Sequence, residues 1–363
     1  MLISPERLLD VVRLALSAVD RRSILPLTDH LLIRVGNGLF GVIGRNSEYQ
    51  IEAQLEVETA ERWAIAVPAK PFADLLSKLP TCEVEITCDG NRLSIRAGRG
   101  RYRLAGHPEG AFPILEPTEA KVQLEIPPAA MGDLLEGVLY AVAQNDPRPA
   151  LNGLLLEVEG GVLKGVASDG HRLAEGKLLL DREVGEEIRA IVPRRAAFEL
   201  YRKLKGATGK VLLSLGPVQI AATIPPDRRF RSYLLDAAYP PYERAFPAQI
   251  QTGVVVDRQP LLNALLRVCA CLGEKERKIV LKGEEGRLAV SCFLGEVGHS
   301  AEEELSARLE GEPFETPFNP DYLIDALKHL KGETIRIGFA SPDGPFLFED
   351  GGSIRHVVMP MRP

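Results

Sequence analysis

The chain has 363 residues, of which 45% are hydrophobic and 26% charged, with a formal net charge of −6. That is the balance of an ordinary soluble globular protein of two to four domains, and it excludes disordered and fibrous classes. No run approaches the ~20 apolar residues of a membrane span. Met1–Arg7 lacks a basic region followed by an apolar stretch, so no secretory signal is expected and the cytoplasm is the default location. The five cysteines (82, 88, 269, 271 and 292) are odd in number and are expected to be reduced, buried thiols. Cys269-x-Cys271 lacks the spacing and the second pair of a zinc site.

In chain order, a proline recurs just ahead of a short amphipathic segment. The positions are Pro5, Pro68, Pro128, Pro193, Pro260 and Pro320, at intervals of 63, 60, 65, 67 and 60. Proline suits the first turn of a helix, where its missing N–H is no loss. Apolar residues then recur at spacings of three and four; in the first segment the expected buried stripe is Leu9, Val12, Leu16 and Val19. Alternating segments split by turn residues follow. Leu31–Val35, Gly36-Asn37-Gly38 and Leu39–Ile43 read as one hairpin; Leu154–Val158, Glu159-Gly160-Gly161 and Val162–Val166 read as another. The repeating unit is one helix on a small antiparallel sheet, six times over. One such unit makes a marginal core, so pairs make domains. The expected fold is α+β, with three similar domains of two helix-on-antiparallel-sheet units each: 1–120, 121–249 and 250–363. Glu116–Lys121 and Pro247–Thr252 are the polar linkers.

Charge is unevenly spread. The helical stretches 5–22, 68–78, 128–144, 194–205, 258–278 and 320–331 carry +1, +1, −2, +4, +3 and 0, so the helices hold +7 and the remainder −13. Collectively basic helices point to a shared anionic partner, and duplex DNA held through its phosphates, without reading of sequence, fits. With each helix roughly 10 Å wide, six lining a ring give a diameter of about 19 Å, too tight for a duplex roughly 20 Å across, and twelve give about 38 Å. A ring around DNA therefore needs two chains joined head to tail. Candidate ends are Arg96, Arg99, Arg101 and Tyr102 on one alternating segment, against Glu302, Glu303 and Glu304 on another.

Ala167-Ser168-Asp169-Gly170-His171-Arg172-Leu173-Ala174 resembles the signature of the bacterial DNA polymerase III β subunits, the sliding clamps. The ending Val357-Val-Met359-Pro360-Met361-Arg362 is similar to that family's ending. Leu151-Asn152-Gly153, Tyr239-Pro240-x-Tyr242-x-Arg244, Phe112-Pro113 and Arg22 with Leu25-Pro26 also match, in order along the whole chain. The resemblance implies a DNA clamp fold closed as a head-to-tail homodimeric ring that encircles duplex DNA, catalyses nothing and needs no cofactor or metal. It implies a separate ATP-driven clamp loader complex. Its partners would be the DNA polymerase III alpha subunit and other polymerases and repair proteins, bound through short clamp-binding peptides and not through a membrane. Their cleft, between the second and third domains, would use Leu151, Ser168, Gly170, His171, Arg172, Leu173, Pro240, Arg244, Met359, Pro360, Met361 and Arg362. Methionine and proline suit an adaptable apolar socket, and His171 and Arg172 would supply donors at its rim. Arg22 and Asn145 match DNA-contacting positions, and Cys271 and Leu272 match the subunit interface. The chain departs from the family at Gly44-Arg45-Asn46, where Gly-Thr-Asp is usual, at Asn145 in place of glutamine, and at Pro149 and Pro363.

The rival reading is a hydrolase or transferase using Asp169 and His171. No nucleophile motif, His-x-x-x-His pair or Rossmann fingerprint accompanies them. Gly206-Ala-Thr-Gly209-Lys210 lacks the spacing of a phosphate loop and reads as a polar hairpin turn. Within the clamp resemblance, a specialised clamp paralogue and a non-catalytic scaffold are the alternatives.

Overall fold

The computed structural model describes residues 1–20, 25–80, 82–272, 278–294 and 299–362. Among them are six α-helices: α1 (Pro5–Leu16), α2 (Ala69–Leu76), α3 (Pro128–Leu139), α4 (Arg194–Leu204), α5 (Arg258–Ala270) and α6 (Pro320–His329). Five of the six expected prolines mark a helix start. Pro5, Pro128 and Pro320 open their helices, and Pro68 and Pro193 stand immediately before theirs. Pro260 is the exception, because α5 begins two residues earlier at Arg258; in the first turn its missing N–H still costs no intrahelical bond.

The strands form three antiparallel sheets. The first holds Leu2–Ile3, Val84–Asp89, Arg92–Ala97 and Gly100–Ala105, in that order. The second runs Trp63–Pro68, His30–Gly36, Leu39–Arg45, Tyr49–Glu56, Arg228–Tyr233, Gln219–Ile224, Val211–Leu215, Val122–Ile126. Its seam is Tyr49–Glu56 against Arg228–Tyr233, where Arg229 faces Glu52 and their side chains meet at 3.2 Å. The third sheet has ten strands, among them Gly153–Ser168, Arg172–Pro193 and Ile354–Val358, with Arg172 opposite Val358. The strands of the middle of the chain are thus shared between two large sheets. The chain accordingly gathers into two compact units, Met1–Met131 with Arg195–Leu234, and Gly132–Arg194 with Leu235–Pro363.

In the first unit, α1 and α2 cover a core that includes Leu8, Val12, Phe40 and Phe72. The buried face of α1 is Leu8, Val11, Val12 and Ala15, whereas Leu9, Leu16 and Val19 are only half-buried. The expected stripe was rotated because the helix also packs on Gly44. A Cβ there would lie 2.0 Å from the Ala15 carbonyl oxygen, so the approach needs glycine. Asn46 holds the turn that follows Leu39–Arg45: its Oδ1 accepts the N–H groups of Glu48 and Tyr49 at 2.8 and 2.9 Å. In the second unit, α5 and α6 cover a core that includes Leu265, Phe339 and Phe346.

The first expected hairpin is present. His30–Gly36 pairs with Leu39–Arg45, and Asn37 and Gly38 both have positive φ (54° and 74°), as a two-residue turn of matching twist requires. The second is corrected. Leu154–Val158 and Val162–Val166 lie on one long strand, Gly153–Ser168, which pairs with Arg172–Pro193. Gly160-Gly161 is the site of register shifts, a bulge and not a turn. Gly206–Lys210 likewise joins α4 to Val211–Leu215, with Gly206 at φ +71° just past the helix end, and is no hairpin turn.

Candidate peptide cleft and interface surfaces

The long ribbon turns back on itself at Asp169-Gly170-His171, between Ser168 and its cross-strand partner Leu173. Asp169 builds that turn. Its Oδ1 accepts the N–H groups of His171 and Arg172, each at 3.0 Å, and its Oδ2 accepts Arg172 Nε at 3.0 Å. The Ser168 hydroxyl donates to the Arg172 carbonyl at 2.8 Å and accepts the Gly170 N–H at 3.1 Å. Gly170 has φ +87°, and a Cβ on it would lie 2.4 Å from an Arg148 nitrogen. The Asp169 carboxylate is thus committed to holding the turn.

Beside this hairpin lies a cleft of about 240 Å³. Of the expected residues, Leu151, Ser168, Gly170, His171, Arg172, Leu173, Pro240 and Met359 line it. Arg244, Pro360, Met361 and Arg362 do not. Arg244 is exposed on the short turn Tyr242–Ala245 that forms one wall, and the tail runs past the cleft, the Met361 N–H donating to the Pro317 carbonyl at 2.8 Å. The last strand reaches the hairpin through the Met359 N–H, which donates to the His171 carbonyl at 2.9 Å.

Arg148, Tyr239, Pro241, Tyr242, Ala245 and Val357 also line the cleft and were missed. The run Tyr239-Pro240-Pro241-Tyr242 carried a usable signal: two prolines stiffen the wall and two aromatic rings furnish it. Tyr242 is buried; its hydroxyl donates to Glu157 at 2.9 Å, and burial together with that carboxylate raises its pKa. Arg148 grips Asp146 through Nε and Nη2 at 2.9 and 3.0 Å, which holds the Asp146 carboxyl down to about 2.

Arg172 departs from its expected role as a rim donor. Its side chain is only 14% exposed, and its guanidinium donates to Asp169, to Asp325 at 2.5 Å and to the Tyr140 carbonyl at 3.5 Å. The His171 ring, on an exposed residue, stacks on Tyr322 at 5.9 Å.

The charged surfaces differ from expectation in detail. Arg96, Arg99, Arg101 and Tyr102 lie on a hairpin, not on one segment. Arg92–Ala97 and Gly100–Ala105 are joined by Gly98-Arg99, and Arg96 sits directly opposite Arg101. All four residues are exposed, and Gly100–Ala105 is an edge strand. Glu302, Glu303 and Glu304 occupy the strand His299–Glu310 but do not share a face, because alternate residues of a strand point oppositely. Glu302 and Glu304 are exposed; Glu303 turns to the other side and is gripped by Arg267 of α5. Cys271 and Leu272, at the end of α5, are half-buried and pack on their own unit's core.

Of the two expected DNA-contacting residues, Arg22 lies outside the described residues. Asn145 is exposed in the loop after α3, with φ +60°. The basic excess of α4 is partly spent within the chain: Arg195 pairs with Asp20, Arg202 with Glu199, and the buried Lys203 with both Glu199 and the Leu14 carbonyl. Among the described residues, no helix is long and apolar enough to cross a membrane.

Three family models match in succession: the N-terminal domain of the DNA polymerase III beta subunit over residues 1–116, its central domain over 125–241 and its C-terminal domain over 243–362. The beta sliding clamp of Pseudomonas putida is 34% identical over 364 residues, spanning 99% of both chains. That of Escherichia coli K12 is 32% identical at the same coverage. Among solved structures, a sliding clamp from Pseudomonas aeruginosa bound to griselimycin has 34% identity and a TM-score of 0.94 over 100% of this chain and 99% of that one. The Bacillus subtilis clamp reaches 0.94 at 26% identity, over 100% and 98%. With every domain matched and relatives aligned from end to end, this chain belongs to the DNA polymerase III beta subunit family, the beta sliding clamps.

Proposed function

We propose that two copies of this chain close head to tail into a ring around duplex DNA and tether replicative and repair polymerases for processive synthesis. The succession of three clamp-domain matches over almost the whole chain carries this reading. Its domains are taken as 1–120, 121–249 and 250–363. The ring joint is assigned to the edge strand Gly100–Ala105 with its arginines, meeting the strand of Glu302 and Glu304 beside Cys271 and Leu272. Edge strands carry unpaired N–H and C=O groups, and opposite charge sets register. The chain acts as a processivity factor in the cytoplasm and does no chemistry of its own.

DNA is held through phosphates without reading of bases, Arg22 and Asn145 among the contacts. The Arg195 and Arg202 guanidinium groups are largely exposed, which leaves them within reach of a phosphate. Partner peptides carrying a glutamine and terminal apolar residues occupy the cleft lined by Leu151, Leu173, Pro240 and Met359, with Arg244, Pro360, Met361 and Arg362 at its approaches. The polymerase III alpha subunit and a separate clamp loader complex are the chain's further partners. A relative crystallised with griselimycin supports a ligand-binding site in this family.

The test is retention on circular against linear duplex DNA after incubation with a clamp loader and ATP. Retention on circles that is lost when the DNA is cut is the expected result, since it reports topological linkage. Equal retention on both forms refutes the ring.

A further inference from the structure

The ion pair beneath the cleft carries a role of its own. Tyr322, Asp325 and His329 are spaced by three and four residues and so share one face of α6. That face meets the signature hairpin and the end of α3. The Arg172 guanidinium lies 4.8 Å over the Tyr322 ring and 5.1 Å over that of Tyr140, and it donates to Asp325 at 2.5 Å. His329 stacks on Tyr140 at 4.2 Å and 12°, and its Nδ1 lies 2.7 Å from the Asp325 carbonyl. The Tyr140 hydroxyl is 2.9 Å from Nδ1 of the fully buried His356, which lies on the strand that pairs with Arg172–Gly176. Asp169 holds Arg172 from within the hairpin, whereas Asp325 holds it from α6. The hairpin therefore keeps its own shape without Asp325 but loses its charged tie to the helix.

We propose that Asp325 is a positioning residue for the peptide cleft. Through Arg172 it fixes the hairpin Asp169–Leu173 against α6 and so sets the separation of the Gly170–Leu173 wall from the Pro240–Ala245 wall. Asp325 touches no peptide itself and acts only through Arg172. The inference rests on the reading of the cleft as the peptide site.

The experiment is a thermodynamic cycle read by anisotropy, using a fluorescent short peptide that carries a glutamine and terminal leucine and phenylalanine. D325A is expected to weaken binding about tenfold, equivalent to about 1.4 kcal/mol. In an R172A background the same change should cost nothing further, because the residue it acts through is gone. D325N keeps the shape and one acceptor; it should fall between wild type and D325A, and it serves in the cycle if the alanine variant unfolds. Equal fold-losses in both backgrounds, or unchanged affinity in D325A, overturn the positioning role while leaving the cleft reading intact. A wild-type chain that does not bind the peptide overturns both.

Discussion

Gly170→Ala tests whether the signature hairpin shapes the cleft. At φ +87° an L-residue gives up about 1–2 kcal/mol relative to glycine. The new methyl would sit 2.4 Å from Arg148 Nη2, so Arg148 has to retreat by about 1 Å to reach ordinary contact, and its grip on Asp146 loosens. Arg148 is largely exposed in that pair, which therefore contributes little stability, so the backbone sets the total. Arg148 and Gly170 both line the cleft, and moving the two together should weaken peptide binding by about 1 kcal/mol, close to fivefold. Urea midpoints and anisotropy on the same preparation give the two readouts. Gly132→Ala is the control: Gly132 lies inside α3 with nothing within 4 Å of the added methyl, and alanine there should stabilise by about 0.5–1 kcal/mol. A Gly170→Ala chain with the parent's midpoint and the parent's affinity refutes the reasoning.

Removing the last five residues, from Met359 on, should abolish peptide binding while the dimer persists; unchanged affinity removes the tail from the cleft. Reversing Arg96, Arg99 and Arg101 to glutamate should split the dimer, and sedimentation as a dimer at low concentration would count against the assigned joint. Burial, helped by the neighbouring His329, depresses the His356 pKa to about 3. The folded chain then stays unprotonated there while the unfolded chain takes up a proton below about 6.5, so stability is complete above that pH and falls with acid. The slope is about 1.4 kcal/mol per pH unit between 6.5 and 3. Urea midpoints at pH 7 and pH 5 should show it, and His356→Gln should flatten it; identical slopes for the two chains would assign the acid sensitivity elsewhere.

Much of the fold was legible because its signals are local. A proline in the first helical turn and an Asn-Gly turn with two positive φ angles are decided by a few neighbouring atoms, and both kinds of element formed where expected. The failures are long-range. Gly160-Gly161 has turn composition, yet pairing of its flanks with Arg172–Pro193 makes it a bulge. Lys203 counts as a surface cation in any tally of charge, but α1 covers it. The cleft divides the same way. The Asp169–Arg172 turn and the C-terminal strand carry short motifs, whereas Arg148 arrives from a segment that carries none. Arg172 was assigned outward because its partner Asp325 lies 153 residues away.

The facing arginines at positions 96 and 101 have a consequence for which rings can form at all. Like charges directly across a ladder repel, and two copies meeting hairpin to hairpin would bring four such guanidinium groups together. At the proposed joint, this repulsion would disfavour the edge's own duplicate and favour an acidic strand, channelling assembly away from the symmetric pair and towards the closed circle. Salt shortens the reach of that repulsion to about 3 Å at 1 M, so this discrimination between right and wrong partners fades in concentrated electrolyte.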